Sequence, residues 1–129
     1  ETYVHTMGIE ARTMLQMAAT MVLPAATRYQ IDLANAISAT ESVGIECPAT
    51  GGRLHDLVHH VAELEAAISQ INEALEGHGS TCDVQARSVQ DRLIPALENA
   101  RMHCDAIERC VPTDLWPMPT YTELLFGGE

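Results

Sequence analysis

The residues with the clearest capacity for chemistry lie in the segment HDLVHH, residues 55–60, which is followed by Glu63. Two histidines one helical turn apart, with an acid as general base, form the zinc-binding HExxH pattern of metalloproteases. Here Asp56 replaces that glutamate, and the apolar stripe of the same predicted helix lies nearly opposite His55 and His59. We therefore predict a solvated helix face and no metal site, although this pair could chelate added nickel or zinc.

Exposed histidines on a helical bundle also suggest histidine phosphotransfer, in which one helix presents a histidine to a phosphorylated aspartate. In this chain His55, His59 or His60 would be the acceptor. Such a site favours a nearby lysine that meets the phosphate, but all seven basic residues are arginine. A stand-alone phosphotransfer-like or other helical interaction module is therefore the alternative function.

The remaining reactive side chains form no catalytic set. Because neighbours on a helix point about 100° apart, His103 and Cys104 do not face each other, and we predict an exposed His103 beside a buried Cys104. There is no phosphate loop, GxGxxG motif or GxSxG elbow. We predict no catalytic, cofactor-binding or metal-binding residues in this chain. Four cysteines show neither CxxC nor zinc-like spacing and are expected to be reduced thiols in the cytoplasm: Cys47, Cys82, Cys104 and Cys110.

Composition fits a single helical domain covering residues 1–129. Apolar residues make up 47% of the chain but aromatic residues only 4%, which leaves the core to aliphatic side chains and methionine. Eighteen acidic residues against seven basic ones give a net charge of −11. This acidic balance argues against nucleic acid or an anionic membrane surface as a partner.

Apolar periodicity predicts an all-α, up-down-up bundle of three long helices at about 2–41, 54–76 and 82–110. The first helix would be roughly 60 Å long, so we expect part of it to protrude or to meet another surface. Pro24 and Pro95 lie inside helices and should kink them. The predicted inward stripe of the first helix is Met7, Ala11, Met14, Ala18, Met21 and Ala25.

The last segment, residues 112–129, is rich in proline and aromatic residues. Three of the five aromatic side chains of the chain lie between residues 115 and 126. A tail this apolar is expected to dock, either on its own bundle or on a surface outside this chain. The candidate docking or interface residues are Trp116, Tyr121, Leu125 and Phe126.

Two segments resemble one family. Residues 3–11, YVHTMGIEA, and residues 21–29, MVLPAATRY, are similar to the start of the C-terminal helical domain of type III glutamine synthetases. Residues 115–121, LWPMPTY, with LLF at 124–126, resemble the terminus of the same enzymes. Met118 stands where the family pattern leads us to expect an aromatic residue.

The resemblance implies a parent ligase of nitrogen metabolism, which joins ammonia to glutamate with ATP and a divalent metal and assembles from hexameric rings. It also implies that the catalytic residues lie upstream of Glu1, so we expect this chain to be a piece of a longer polypeptide. ATP and metal are implied for the parent alone. The implied role is a non-catalytic C-terminal domain whose partners are the catalytic body and neighbouring subunits.

Overall fold

The computed structural model describes residues 2–76 and 83–116, with side chains from residues 8–76 and 91–116. These ranges contain helices and no strand, so the predicted all-α class is confirmed. The elements are α1 (Thr2–Met17), a π-helical segment (Ala18–Val22), α2 (Leu23–Ser42), α3 (Pro48–Glu76), α4 (Asp83–Cys110) and a 3₁₀ turn (Thr113–Leu115).

The first predicted helix is continuous from Thr2 to Ser42 but contains one π turn. At its end the Leu23 N–H donates to the Ala18 carbonyl, five residues back, where an α-helix would use the fourth. The π-helical segment ends at Val22, two residues before Pro24, which has no N–H and whose ring would clash with the carbonyl four residues earlier in a regular α-helix. The irregularity expected at this proline therefore takes the form of a widened turn before it. 

The π turn also moves the buried face of the helix. The predicted stripe continued from Ala18 to Met21, yet Met21 is 38% exposed and Val22 is fully buried. A π turn contains one residue more than an α turn, so the next inward position comes one residue later. The prediction of Met21 as a stripe residue was wrong for this reason.

The helix α3 begins at Pro48 rather than at Leu54. Proline suits the first position of a helix, where its missing N–H is not needed and its fixed φ is already helical. The Gly51 N–H donates to the Cys47 carbonyl at 3.1 Å, and the helix continues through Gly52. The predicted bounds, 2–41 and 54–76, leave these two glycines outside any helix, so the predicted start of this helix was wrong.

The connection between α2 and α3 is short and turns at Gly44, whose φ is +86°. The Gly44 N–H donates to the Glu41 carbonyl at 3.0 Å, and the Ile45 N–H donates to the Thr40 carbonyl at 3.3 Å. This pair of bonds is the Schellman arrangement, which satisfies the last carbonyls of a helix and requires a left-handed residue at its turn. Glycine adopts that conformation without steric cost.

One hydrophobic cluster joins all the helices and extends to Trp116. The helix α3 packs most extensively on α4, while α2 packs on α3, and α1 contacts both α3 and α4. The up-down-up course of the helices stays a prediction. Burial of each large aliphatic side chain contributes about 1.5–3 kcal/mol. The largest fully buried side chains are Val22, Leu57, Leu64, Ile71, Leu93 and Ile107.

The end of α2, its connection to α3 and the start of α3, residues 34–56, contain no fully buried side chain; we call this segment the hairpin end. At its tip Val43 is 71% exposed and Ile45 is 59% exposed. The connection between α2 and α3 therefore leaves two branched apolar side chains exposed.

Candidate functional site

His55 and His59, which suggested a zinc-binding helix, lie on the exposed face of α3. The side chains of His55, His59 and Glu63 are exposed, as expected for a face opposite the apolar stripe. Between residues 8–76 and 91–116, no group of three or more His, Cys, Asp or Glu side chains is placed to hold a metal ion. 

The structure instead brings together three histidines from two helices. Nδ1 of His60 on α3 lies 3.0 Å from Nδ1 of His103 on α4, within hydrogen-bonding distance. The ring of His59 completes the group, with its centroid 5.3 Å from that of His60 and 6.3 Å from that of His103. His59 is exposed, His60 is half-buried and His103 is only 8% exposed. We call His59, His60 and His103 the imidazole cluster.

The prediction of an exposed His103 was wrong. This residue follows Ala100 by three positions and precedes Ile107 by four, and both of those side chains are fully buried. Residues at these spacings share one face of a helix, so the sequence did contain the signal. On α3, His60 stands in the same relation to the buried Leu57 and Leu64.

Burial and neighbouring charge keep His60 neutral. Its pKa is lowered mainly by loss of solvent and then by the charges that His103 and His59 would carry. Arg109 lowers the pKa of His60 further, whereas Asp56 raises it. Two imidazole rings at this distance can share a proton.

The thiol next to His103 is inert. Cys104 is half-buried against the core, and burial, followed by the charge of Asp105, raises its pKa to about 11. A thiol with this pKa is protonated at neutral pH and is a poor nucleophile. Cys47, Cys104 and Cys110 are free thiols, while Cys82 lies outside the described residues.

Of the four candidate docking residues, only Trp116 falls within the described part of the chain. It is 7% exposed and belongs to the hydrophobic cluster, so it packs on its own bundle. Its Nε1 is buried, and none of the described residues accepts a hydrogen bond from it. Tyr121, Leu125 and Phe126 lie outside the described residues.

The described residues thus define a class of protein: a helical domain that pairs a half-buried imidazole with a buried one but lacks, in those ranges, a metal-binding group. Residues 1–41 match the family described as the glutamine synthetase C-terminal domain. Together with the relatives that follow, this match confirms the predicted resemblance to the C-terminal helical domain of type III glutamine synthetases.

Two curated relatives extend the likeness to nearly the whole chain. It is 25% identical over 134 residues to a glutamine synthetase of Bacteroides fragilis (strain YCH46), a match that covers 98% of this chain. It is also 25% identical over 135 residues to a type-3 glutamine synthetase of Dictyostelium discoideum, again across 98% of this chain. The chain spans only 18% of the length of each of these relatives. No solved structure matches.

None of the helices in the described ranges is long and apolar enough to cross a membrane. 

Proposed function

We propose that this chain is the non-catalytic C-terminal helical domain of a glutamine synthetase and that it serves the packing and assembly of the parent enzyme. The observation that carries the proposal is the extent of the two matches, which span 98% of this chain but only 18% of the length of each relative. The parent would join ammonia to glutamate with ATP and a divalent metal. Its catalytic residues would lie in the other part of the polypeptide.

The chemistry of the described side chains supports a structural role. The thiol of Cys104 is held protonated, and the exposed histidines of α3 belong to no metal-binding group within the described ranges. The feature of the domain that could bind a partner is its exposed apolar side chains. A contiguous exposed apolar patch can mark a contact with another protein, and Val43 and Ile45 lie two residues apart in the same connection.

The hairpin end is the contact that we assign to the catalytic body. Residues 34–56 lack a fully buried side chain, although Ile37 and Leu54 are half-buried. Val43 and Ile45, in the connection between the helices, are exposed. Burying two such side chains against a partner would contribute a few kcal/mol, enough to fix the orientation of the domain.

Activity of the isolated chain tests the non-catalytic part of the proposal. The purified 129-residue chain, supplied with ATP, glutamate, ammonia and magnesium, is expected to form no glutamine and to leave ATP intact. ATP-dependent formation of glutamine by this chain would end the proposal.

A hairpin variant tests the assembly part. In the full parent enzyme, Val43→Ser combined with Ile45→Ser is expected to shift the sedimentation profile towards smaller species. The matched control is Ile31→Ser, which replaces a 53% exposed apolar residue on α2 before the hairpin end. Circular dichroism of the 129-residue chain carrying each change confirms that the fold survives. Parent enzyme that assembles normally with a serine tip would remove the hairpin end from the interface.

The alternative function, histidine phosphotransfer, rests on the exposure of His55 and His59 on α3. Incubation of the chain with a phosphodonor, followed by a test for acid-labile phosphate, separates the two functions. We expect no phosphohistidine, because no lysine is present anywhere in the sequence to meet the phosphate. Stoichiometric labelling that is lost in His55→Gln or His59→Gln would favour the alternative.

A further inference from the structure

We propose that the His60–His103 pair is a proton-binding site that couples α3 to α4 and weakens their contact when both rings become protonated. The inference stands on the 3.0 Å approach of two Nδ1 atoms from residues that are 43 positions apart in the chain. It does not depend on the function proposed above.

The geometry limits how many protons the pair can hold. A hydrogen bond between two Nδ1 atoms requires one ring that carries its proton there and one ring with a free lone pair there. Two neutral rings satisfy this requirement by adopting different tautomers, and a singly charged pair satisfies it by sharing the proton. Two charged rings would instead direct two donors at each other across 3.0 Å. The second proton is therefore incompatible with the contact.

The surroundings add to this limit. The groups that shift the pKa of His60 are His59 and Asp56 on α3, and His103 and Arg109 on α4. Within the described residues, these four groups are the titratable or charged ones that act on His60. Asp56 is the one carboxylate among these four groups. A doubly protonated pair would therefore place two positive charges near Arg109, with one acidic side chain to offset them. The 8% exposure of His103 leaves little water to screen that charge.

The site lies where it can affect the whole bundle. The helices α3 and α4 form the most extensively packed pair in the described chain. His60 stands on α3 between Leu57 and Leu64, and His103 stands on α4 between Ala100 and Ile107, all four of which are fully buried. Separation of the two rings would consequently loosen core side chains on both sides of the pair.

The direction of the pH effect follows from the lowered pKa of His60. The unfolded chain takes up this proton at the ordinary histidine pKa, about 6.5, while the folded chain takes it up at lower pH. The stabilising contribution is therefore complete above the unfolded pKa and is lost as the pH falls through the folded pKa. Acidification from pH 7.5 towards pH 5 is expected to destabilise the fold.

Nitrogen NMR of the unmodified chain tests the pair directly. The 129-residue protein, labelled with ¹⁵N-histidine and kept in a metal chelator, is titrated between pH 8 and pH 5 by long-range ¹H–¹⁵N correlation. We expect opposite tautomers for His60 and His103 at pH 8, and we expect His60 to titrate below the ordinary histidine pKa of about 6.5. Identical tautomers, or a His60 that titrates at or above that ordinary value, would overturn the proposal.

A thermodynamic cycle then tests the coupling of the helices. The variants are His60→Asn, His103→Asn and the double variant, with His55→Asn as the matched control on the exposed face of α3. Asparagine keeps a hydrogen-bonding amide near the Nδ1 position but does not titrate. The melting temperature of the unmodified chain should fall by roughly 3–6 °C more between pH 7.5 and pH 5 than that of the double variant.

The control should follow the unmodified chain, because His55 is exposed and is not part of the ring contacts that join His59, His60 and His103. An equal pH-dependent loss in the unmodified chain and in the double variant would overturn the coupling. If a single variant does not fold, the NMR titration of the unmodified chain still decides the matter.

Discussion

Trp116 packs an indole ring into the hydrophobic cluster at the end of α4, while its buried Nε1–H finds no acceptor among the described residues. An aromatic ring of this size contributes several kcal/mol through burial, whereas a buried donor without an acceptor costs about 1–3 kcal/mol. The two effects oppose each other within one side chain. The net contribution of Trp116 to stability is therefore smaller than its buried area alone would indicate.

This balance gives a prediction for two substitutions. Trp116→Ala removes the ring and should lower the free energy of unfolding by about 3–5 kcal/mol. Trp116→Phe removes the unpaired donor with part of the ring, so the loss should stay below about 2 kcal/mol. Urea unfolding of the 129-residue chain, followed by circular dichroism, measures both values. Equal losses would show that the unpaired N–H has no energetic weight.

The imidazole cluster shows what residue-level reasoning from the sequence could and could not reach. The exposure of His55 and His59 followed from the position of the apolar stripe, and so did the packing of Cys104 against the core. The burial of His103 was within reach, because its spacing from Ala100 and Ile107 places it on the same face. The contact with His60 was out of reach, since it depends on how α3 and α4 are set against each other along their length.

At the scale of the elements, two glycines in and near the α2–α3 connection have opposite conformational requirements. Gly44 has φ +86° in the turn that ends α2, and an L side chain there would be strained. Gly52 lies inside α3, where a Cβ atom would meet nothing within 4 Å. The first glycine is required by its backbone, while the second only adds flexibility to the unfolded chain.

Alanine at each glycine should therefore change stability in opposite directions. Gly44→Ala is expected to destabilise the chain by about 1 kcal/mol. Gly52→Ala, its matched control, is expected to stabilise the chain by about 0.5–1 kcal/mol, because alanine is the better helix former. Thermal unfolding of the two variants beside the unmodified chain measures the signs. A stabilising Gly44→Ala would contradict the left-handed turn.

Periodicity predicted the helical class and the long segments, but two local features had competing causes. At the start of α3, Gly51 and Gly52 indicated a loop, whereas Pro48 and the bond from Gly51 to the Cys47 carbonyl begin a helix there. In the first helix, Val22 rather than Met21 is buried because of the π turn. A stripe of apolar residues does not reveal such a turn in advance, because either residue could occupy the inward position.

At the scale of the whole molecule, charge is strongly unbalanced, with 18 acidic residues and seven basic ones. The described ion pair between Arg101 and Glu10 joins α4 to α1 at 2.6 Å, but its side chains are 45% and 55% exposed. An exposed pair of this kind contributes well under about 1 kcal/mol. Repulsion among the acids should consequently outweigh the attraction that this pair provides.

Added salt is therefore expected to stabilise the fold. Raising NaCl from about 0.01 M to about 0.15 M shortens the screening length from about 30 Å to about 8 Å, which weakens repulsion across the surface. The melting temperature of the chain at pH 7.5 should rise by a few degrees. Arg101→Gln, the control without the exposed pair, should show the same upward trend. A melting temperature that falls with salt would mean that attractive pairs dominate.

The burial of Trp116 also has a practical consequence, because it is the only tryptophan in the sequence. Excitation at the long-wavelength edge of protein absorption selects this one ring. Its emission maximum moves to longer wavelength when water surrounds the ring. The preceding turn, Thr113–Leu115, contacts α2, so a red shift would report separation of the end of α4 from α2. The domain thus contains a single built-in fluorophore at a junction between two of its helices.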